Sequence, residues 1–123
     1  MKSLLTAFGK VTSQAEGQAG ENLALDYLKI QGLVLLERNF RCRSGEIDLI
    51  MQHDDMLVFV EVRKRSSSHY GGAAASINRN KQSRLISAAH IYLQRYRHPP
   101  PCRFDVVAID QDNVSWIKDA FQT

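Results

Sequence analysis

Two apolar, strand-like segments that carry carboxylates constrain the fold of this chain more than any other feature. The segments are Gly45–Ile50 and Val58–Arg63, and the polar run His53–Met56 between them is suited to a hairpin turn. A buried charge without a partner costs several kcal/mol. Asp48 and Glu61, which sit in the middle of these segments, therefore require a compensating group.

A two-residue hairpin loop at positions 54–55 predicts the register of the two strands. In that register Asp48 lies directly opposite Glu61, with Cβ atoms about 4.5–5.5 Å apart, and like charges so placed repel each other. Glu46 then lies opposite Arg63. Because strand residues alternate between faces, these side chains form one patch of three carboxylates and one guanidinium. We expect a positive group to lie between Asp48 and Glu61.

The rest of the chain predicts an α/β fold with the element order α-β-β-β-α-β-β, in which helices flank a mixed sheet. Apolar spacing predicts a first helix over about 13–31 and a second over about 78–96, and Pro99–Pro101 stops the second. Basic residues at the start of the second helix oppose its dipole, so helix stability does not explain them. The remaining strands are predicted at about 33–40, 103–109 and 114–117.

Length and charge restrict the class of protein. A chain of 123 residues normally forms one domain, and we expect a core over about 13–110 with flexible ends at 1–12 and 118–123. The net charge of +3 permits an anionic partner. No apolar run approaches the ~18 residues of a membrane span, so we expect a cytoplasmic protein. Cys42 and Cys102 have no zinc-binding spacing and are expected as reduced thiols.

Facing carboxylates on a rigid sheet suit a hard divalent cation. Mg²⁺ prefers oxygen ligands and keeps several waters, and it can polarise a phosphoryl oxygen and lower the pKa of a bound water. Basic side chains elsewhere could neutralise flanking phosphates. The sequence thus favours metal-assisted phosphodiester hydrolysis, with these candidate nucleic-acid contacts: Arg41, Arg43, Lys64, Arg65, Arg79, Lys81 and Arg84.

The residues alone also allow plainer interpretations. The acidic strands could form a solvated sheet face held by ordinary salt bridges. Glu21, near the edge of the apolar face of the first helix, could be a surface residue. Asp105 could be the partner of a neighbouring arginine. A protein-interaction domain therefore remains a third alternative to a nuclease or a nucleic-acid-binding module.

Several motifs, in order along residues 13–109, resemble the YraN family, a bacterial group often labelled as endonucleases. That family resembles the Holliday-junction resolvase branch of the PD-(D/E)XK nuclease superfamily. The resemblance implies a restriction-endonuclease-like three-layer core with the order α-β-β-β-α-β. The motifs are Gly20–Ala24, Tyr27–Leu28, Arg38–Arg41, Gly45–Ile50, Phe59–Arg63, Lys81 with Arg84–Leu85, and Arg103–Val107.

The resemblance also implies roles for individual residues. Asp48 matches the metal-binding aspartate and Glu61 the acidic ligand of the next strand, with the backbone carbonyl of Val62 as a further ligand. Glu21 matches a helix glutamate that many resolvase-like members add to the site. The implied cofactor is Mg²⁺ or Mn²⁺, the implied partner is nucleic acid, most readily DNA, and a homodimer is plausible.

Arg63 departs from the superfamily pattern, which has a lysine at this position. Arginine stays protonated and cannot accept a proton from water. Its planar guanidinium group can still orient a water or stabilise a phosphorane. Lys64 is expected to point to the opposite face, and Lys81 could approach from the second helix. Two functions follow: an endonuclease, or a non-catalytic nucleic-acid-binding module with a degenerate site.

Overall fold

A computed structural model describes residues 13–65 and 77–122 of the chain. The predicted order α-β-β-β-α-β-β is confirmed, whereas the expected flexible end at 1–12 lies outside the described residues. The elements are α1 (Ser13–Ile30), β1 (Val34–Cys42), β2 (Gly45–His53), β3 (Met56–Arg65), α2 (Arg79–Leu93), β4 (Cys102–Asp110) and β5 (Asn113–Phe121).

The five strands form one mixed sheet in the order β1-β2-β3-β4-β5. Neighbouring strands are antiparallel except β3 and β4, which are parallel; the connection between those two contains α2, as parallel pairing requires a crossover. This arrangement confirms the α/β fold class.

The helices cover opposite faces of the sheet because β3 alternates its side chains. Val58 and Val60 pack in one cluster with residues of α1 such as Leu28. Phe59, between them, packs in a second cluster with Leu85 of α2. The protein therefore has three layers, helix, sheet and helix, which is consistent with the expected nuclease-like core.

The hairpin between β2 and β3 has the predicted loop and register. Asp54 adopts a positive φ of 59°, which aspartate tolerates better than most residues. Pairing runs from His53↔Met56 to Leu49↔Val60, as the two-residue loop predicts.

Beyond Leu49 the predicted register is wrong, because β2 leaves β3. Its pairing with β1 continues to Cys42↔Gly45. Gly45 packs so closely on α2 that an added Cβ would lie 2.9 Å from the carbonyl carbon of Arg84. The first residues of β2 thus follow α2 and β1, so Asp48 and Glu61 are not ladder partners, nor are Glu46 and Arg63.

Element ends differ from the prediction where contacts distant in sequence decide them. β5 extends to Phe121, so the predicted flexible end at 118–123 is wrong for residues 118–121. Phe121 stacks on Phe104 with ring centroids 5.0 Å apart. Conversely, α2 ends at Leu93 rather than at 96, because the N–H groups of residues 94–96 bond to carbonyls three residues earlier, which is a tighter turn.

Candidate functional site

Asp48 lies at the point where β2 leaves β3, and its side chain fills the gap between them. Its Oδ2 accepts a hydrogen bond from the backbone N–H of Val62 at 2.9 Å. A strand residue directs its N–H and C=O toward the same neighbouring strand, so the carbonyl of Val62 is also directed at this gap. The carboxyls of Glu61 and Asp48 interact, and this interaction raises the pKa of Glu61 and lowers that of Asp48. The two acidic side chains therefore meet although the ladder between them has ended.

Burial raises the pKa values of this carboxyl pair. The side chain of Glu61 is only 5% exposed, and burial, together with the charge of Asp48, raises the pKa of Glu61 to about 8. Burial also raises the pKa of Asp48, while the hydrogen bonds from Val62 and Glu61 oppose that rise. Burial therefore favours the protonated form of Glu61 in the metal-free protein.

Two cationic side chains lie beside Glu61. Lys81 Nζ is 3.4 Å and Arg63 Nη1 is 3.8 Å from Glu61 Oε2. Asn78 caps α2 by accepting a hydrogen bond from the N–H of Lys81 at 2.8 Å. The cap and the packing of α2 on the sheet place Lys81 beside the carboxyl pair. This contact accounts for a basic residue in the first turn of the helix, which the helix dipole disfavours.

Glu21 approaches the same place from α1. Its side chain is 14% exposed and its Oε1 lies 3.3 Å from an Nη of Arg38. Burial raises the pKa of Glu21, and the negative charge of Asp48 raises it further, while contacts with Arg38 and Asn39 lower it. Glu21 is therefore not an isolated surface residue but an electrostatic neighbour of Asp48.

The carboxyl pair, Glu21 and the neighbouring cations line one cavity of about 240 Å³, the acidic cavity. Lys64, predicted to point to the other face, is exposed and also borders the cavity. The lining residues are Gly17, Gly20, Glu21, Asp48, Glu61, Val62, Arg63, Lys64 and Lys81.

The chemistry of this donor set fits a hard divalent cation. Asp48, Glu61 and the carbonyl of Val62 would supply oxygen ligands, and a cation there would compete with protonation of the buried carboxyls. Within the described residues no group of three or more His, Cys, Asp and Glu side chains is positioned to hold a metal ion. An ion held by these three groups would complete its coordination with water.

The other predicted site residues divide into separate regions. Glu46 is register partner to Arg41 on β1 and lies 3.8 Å from it, with 45% of its side chain exposed. The contact of Gly45 with Arg84 places the exposed β1–β2 turn, which carries Arg43, beside α2. The turn that carries Arg43 and the backbone of Arg84 are therefore neighbours. Arg41 lies between Phe40 and Cys42, which pack in the cluster of α2, so Arg41 faces the other side of the sheet.

Arg79 lies in a different cavity. This cavity, of about 600 Å³, is lined by one flank of α2 together with Gln122. The side chain of Arg65 lies outside the described residues. The structure thus places Lys64 and Lys81 at the acidic cavity and the turn of Arg43 near Arg84, and it places Arg79 in a different cavity.

Two residues of this region had no predicted role. Arg38 and Asn39 of β1 both contact Glu21. They occur in the Arg38–Arg41 motif, but no periodicity or charge pattern in the sequence connects that motif to a helix residue near the start of the chain. Asp105, in contrast, has the arginine partner that the plainer interpretation expected, with Arg103 Nε at 2.9 Å.

The model of the family described as "Uncharacterised protein family UPF0102" matches residues 20–109 of this chain. The chain belongs to the UPF0102 family. The resemblance to YraN proteins is thereby confirmed. The matched residues include Glu21, Asp48, Glu61 and Lys81, so every acidic residue of the cavity lies within the UPF0102 match.

Individual UPF0102 proteins are similar to this chain over most of its length. The UPF0102 protein of Herminiimonas arsenicoxydans is 60% identical over 114 residues, which cover 93% of this chain and 92% of that protein. A UPF0102 protein of Janthinobacterium is 62% identical over 113 residues, or 92% of each chain. One from Nitrosomonas europaea is 53% identical over 109 residues, covering 86% of this chain and 92% of that protein. In the described part of this UPF0102 protein, no helix is long and apolar enough to cross a membrane.

Proposed function

We propose that this UPF0102 protein binds nucleic acid, most readily DNA, and hydrolyses its phosphodiester bonds with Mg²⁺ or Mn²⁺ as cofactor. The observation that carries the proposal is the buried Asp48–Glu61 carboxyl pair, which opens into a cavity bordered by cationic side chains. A solvated sheet face with ordinary salt bridges would not bury two neighbouring carboxyls, because burial disfavours their charged forms.

Asp48, Glu61 and the carbonyl of Val62 would hold the metal ion. When bound, the ion would polarise a phosphoryl oxygen and lower the pKa of a bound water. Glu61 must give up its proton before it can act as a ligand, since metal binding competes with protonation. The backbone N–H of Val62, 2.9 Å from Asp48 Oδ2, keeps the aspartate oriented in both states.

The cationic side chains would bind the negatively charged phosphate and stabilise its charge during the reaction. Arg63 can hold phosphate oxygens through its planar fork. Lys81 is a compact ammonium on α2, close to Glu61, and it occupies the neighbourhood in which the superfamily pattern has a strand lysine. We assign to Lys81 the stabilisation of negative charge that develops at the phosphate.

Exposed basic residues outside the cavity would contact the flanking backbone of the nucleic acid. Arg41, Arg43 and Arg84 are exposed, and each phosphate they neutralised would release counterions and make binding dependent on salt. The proposal places the protein in the cytoplasm and extends to a homodimer in solution. Light scattering of the purified protein tests the dimer directly.

Two observations favour a second function, a nucleic-acid-binding module without catalysis. Arg63 cannot serve as a general base, and the acidic side chains of the described residues do not form a three-ligand cluster. A protein with this site could retain its affinity for nucleic acid and cut slowly or not at all. Cleavage, rather than binding, distinguishes the two functions.

The decisive experiment incubates the pure protein with linear duplex, single-stranded and four-way-junction DNA, with Mg²⁺ or Mn²⁺. The matched variants are Asp48→Asn and Glu61→Gln, with Asp26→Asn as a control at an exposed position of α1. Metal-dependent cutting that both site variants lose and the control keeps would support the endonuclease.

Other outcomes of this experiment would favour the second function or contradict both functions. Binding without cutting under either metal would favour the non-catalytic module, and cutting that appears only in Arg63→Lys would show that the arginine has suppressed the reaction. If neither metal nor nucleic acid binds, both functions are wrong.

A further inference from the structure

We propose that Arg95, whose guanidinium lies on the ring of Tyr92, is a platform on which an unpaired base of the bound nucleic acid stacks. This inference rests on the proposed function and narrows its substrate class to nucleic acid that contains single-stranded bases. Arg95 lies in the turn that follows α2. It lines neither the acidic cavity nor the cavity that contains Arg79.

Three contacts hold the guanidinium of Arg95 in place. Its Cζ lies 3.8 Å from the centroid of the Tyr92 ring and 5.7 Å from that of the Phe40 ring. Its Nη1 donates a hydrogen bond to Glu37 Oε1 at 3.3 Å. Tyr92 is buried, and Phe40 packs against it edge to face with ring centroids 5.4 Å apart. The aromatic support beneath Arg95 is therefore part of the packed core.

The other face of the guanidinium is open. The side chain of Arg95 is 48% exposed although one face lies on the buried Tyr92 ring, so the exposed part includes the face turned away from Tyr92. A planar guanidinium stacks on aromatic faces, and proteins stack unpaired bases on such planes. A base laid on Arg95 would complete a stack of base, guanidinium and tyrosine ring.

The charge of the surrounding segment favours a polyanion over an uncharged aromatic ligand. No Asp or Glu occurs in the sequence between Glu61 and Asp105. In the same interval, α2 and the turn after it carry the basic residues Arg79, Lys81, Arg84, Arg95 and Arg97. A concentration of positive charge attracts the phosphate backbone of nucleic acid, which would bring its bases to Arg95.

The distance from the acidic cavity defines the role of Arg95. At about 1.5 Å per residue, Arg95 lies roughly 20 Å along the helix axis from Lys81, the lysine that contacts Glu61. Arg95 therefore cannot touch the reacting phosphate, and it would hold a base several nucleotides away. Bases inside a duplex are already stacked on each other, so the platform favours a substrate with a single-stranded segment.

Arg95→Lys separates base stacking from a purely structural role. Lysine keeps the positive charge and can still interact with Glu37 and with the Tyr92 ring, but it lacks the planar group. The experiment measures the affinity for a labelled single-stranded DNA and for a duplex of the same sequence by fluorescence anisotropy. A chelator prevents metal-dependent cutting.

We expect Arg95→Lys to bind the single strand roughly tenfold more weakly, because stacking of one base on a protein side chain typically contributes at least about that much. Its affinity for the duplex should be unchanged, and so should the salt dependence of binding, since the charge is retained. Arg97→Lys is the matched control, because it makes the same change at an exposed arginine of the same turn. It should bind both DNAs as the wild type does.

A second measurement locates the stacked base. Single strands in which one base at a time is replaced by an abasic site should bind the wild type more weakly at one or two positions. Arg95→Lys should lose this dependence on position, which a merely structural change would leave in place. Thermal unfolding verifies that each variant is folded.

The outcomes distinguish this inference from the proposed function. Wild-type affinity of Arg95→Lys for the single strand overturns the inference and leaves the proposed function intact. An equal loss for single strand and duplex also overturns it, because Arg95 would then contact the backbone and not a base. If the unaltered protein binds neither DNA, in the chelator or with Mg²⁺, the proposed function and this inference are both wrong.

Discussion

Lys81 Nζ lies 3.4 Å from Glu61 Oε2, and this contact joins the first turn of α2 to the middle of β3. The lysine side chain is 29% exposed, so it reaches the buried carboxyl while remaining accessible from the cavity. A strand position occupied by arginine and a helix position occupied by lysine thus bring two different cations to the same carboxylate. Their roles can be separated by substitution.

Lys81→Met should slow metal-dependent cleavage without loss of the metal. Removal of one group that stabilises transition-state charge typically costs roughly 10²–10³ in rate. Mn²⁺ affinity should be retained or increase, because a positive neighbour of the metal ligands is gone. Single-turnover cleavage and calorimetry measure the two effects.

Lys29→Met controls for this change, since Lys29 is an exposed lysine in the last turn of α1. It should cleave at the wild-type rate. If Lys81→Met also cleaves at the wild-type rate, Lys81 has no role in the reaction.

Glu61→Gln should change how stability depends on pH. The pKa of Glu61 is raised from 4.5 to about 8 in the folded protein, so the folded state binds a proton that the unfolded state releases. The free energy of unfolding of the metal-free protein should therefore fall as pH rises from about 4.5 to about 8. Glutamine carries no charge to bury, so the variant should lose most of this decline.

Urea unfolding at several pH values, in the presence of a chelator, measures the effect. Glu46→Gln, which removes a half-exposed carboxylate from β2, should follow the wild-type profile. If the wild-type and Glu61→Gln profiles run parallel across this pH range, the proton does not reside on Glu61.

The sequence predicts those parts of the fold that depend on neighbours along the chain. The two-residue loop at Asp54–Asp55 determines the register from His53↔Met56 to Leu49↔Val60, and a one-residue slip would move every side chain of one strand to the opposite face of the sheet. Because side chains alternate along β3, Glu61 lies on the opposite face of the sheet from Val60 and Val62. The same alternation gives the strand a face for each helix, and the three layers follow from it.

The candidate site could be predicted only in part, because its geometry depends on contacts between distant segments. The departure of β2 from β3 at Asp48 requires the contact of Gly45 with Arg84 of α2. The approach of Lys81 depends on where α2 packs. No local sequence pattern predicts either of these contacts between distant segments. The sequence therefore indicates the acidic pair but not the groups that surround it.

Asp105→Ala should destabilise the protein without affecting the carboxyl pair. The buried Asp105 accepts hydrogen bonds from Arg103 Nε, from Trp116 Nε1 at 2.9 Å and from the N–H of Asp119 at 2.9 Å. Breaking a buried ion pair by removing one partner typically costs about 3–5 kcal/mol. Urea unfolding should show a loss of this size.

Glu37→Gln provides the contrast, because its ion pair with Arg95 is exposed. Exposed pairs contribute at most about 1 kcal/mol, so this change should be small. A loss below about 1 kcal/mol for Asp105→Ala as well would mean that the buried network does not hold β5 to β4.

Gly45→Ala should destabilise the fold and disturb the site together. An added Cβ would lie 2.9 Å from the carbonyl carbon of Arg84 and closer still to its oxygen, so β2 and α2 must move apart. Such overpacking typically costs about 1–3 kcal/mol. Because Asp48 follows Gly45 on β2 and Lys81 lies on α2, the separation should also weaken Mn²⁺ binding.

Gly17→Ala is the comparison for stability, since within the described residues no atom beyond its chain neighbours and its own helix backbone lies within 4 Å of the place its Cβ would take. Alanine is favoured over glycine inside a helix by roughly 0.5–1 kcal/mol, so this variant should be slightly more stable than the wild type. Urea unfolding and calorimetry on the two variants measure both effects. If Gly45→Ala matched Gly17→Ala in stability and affinity, the close approach of β2 to α2 would not determine where Asp48 lies, and the geometry of the site would need another cause.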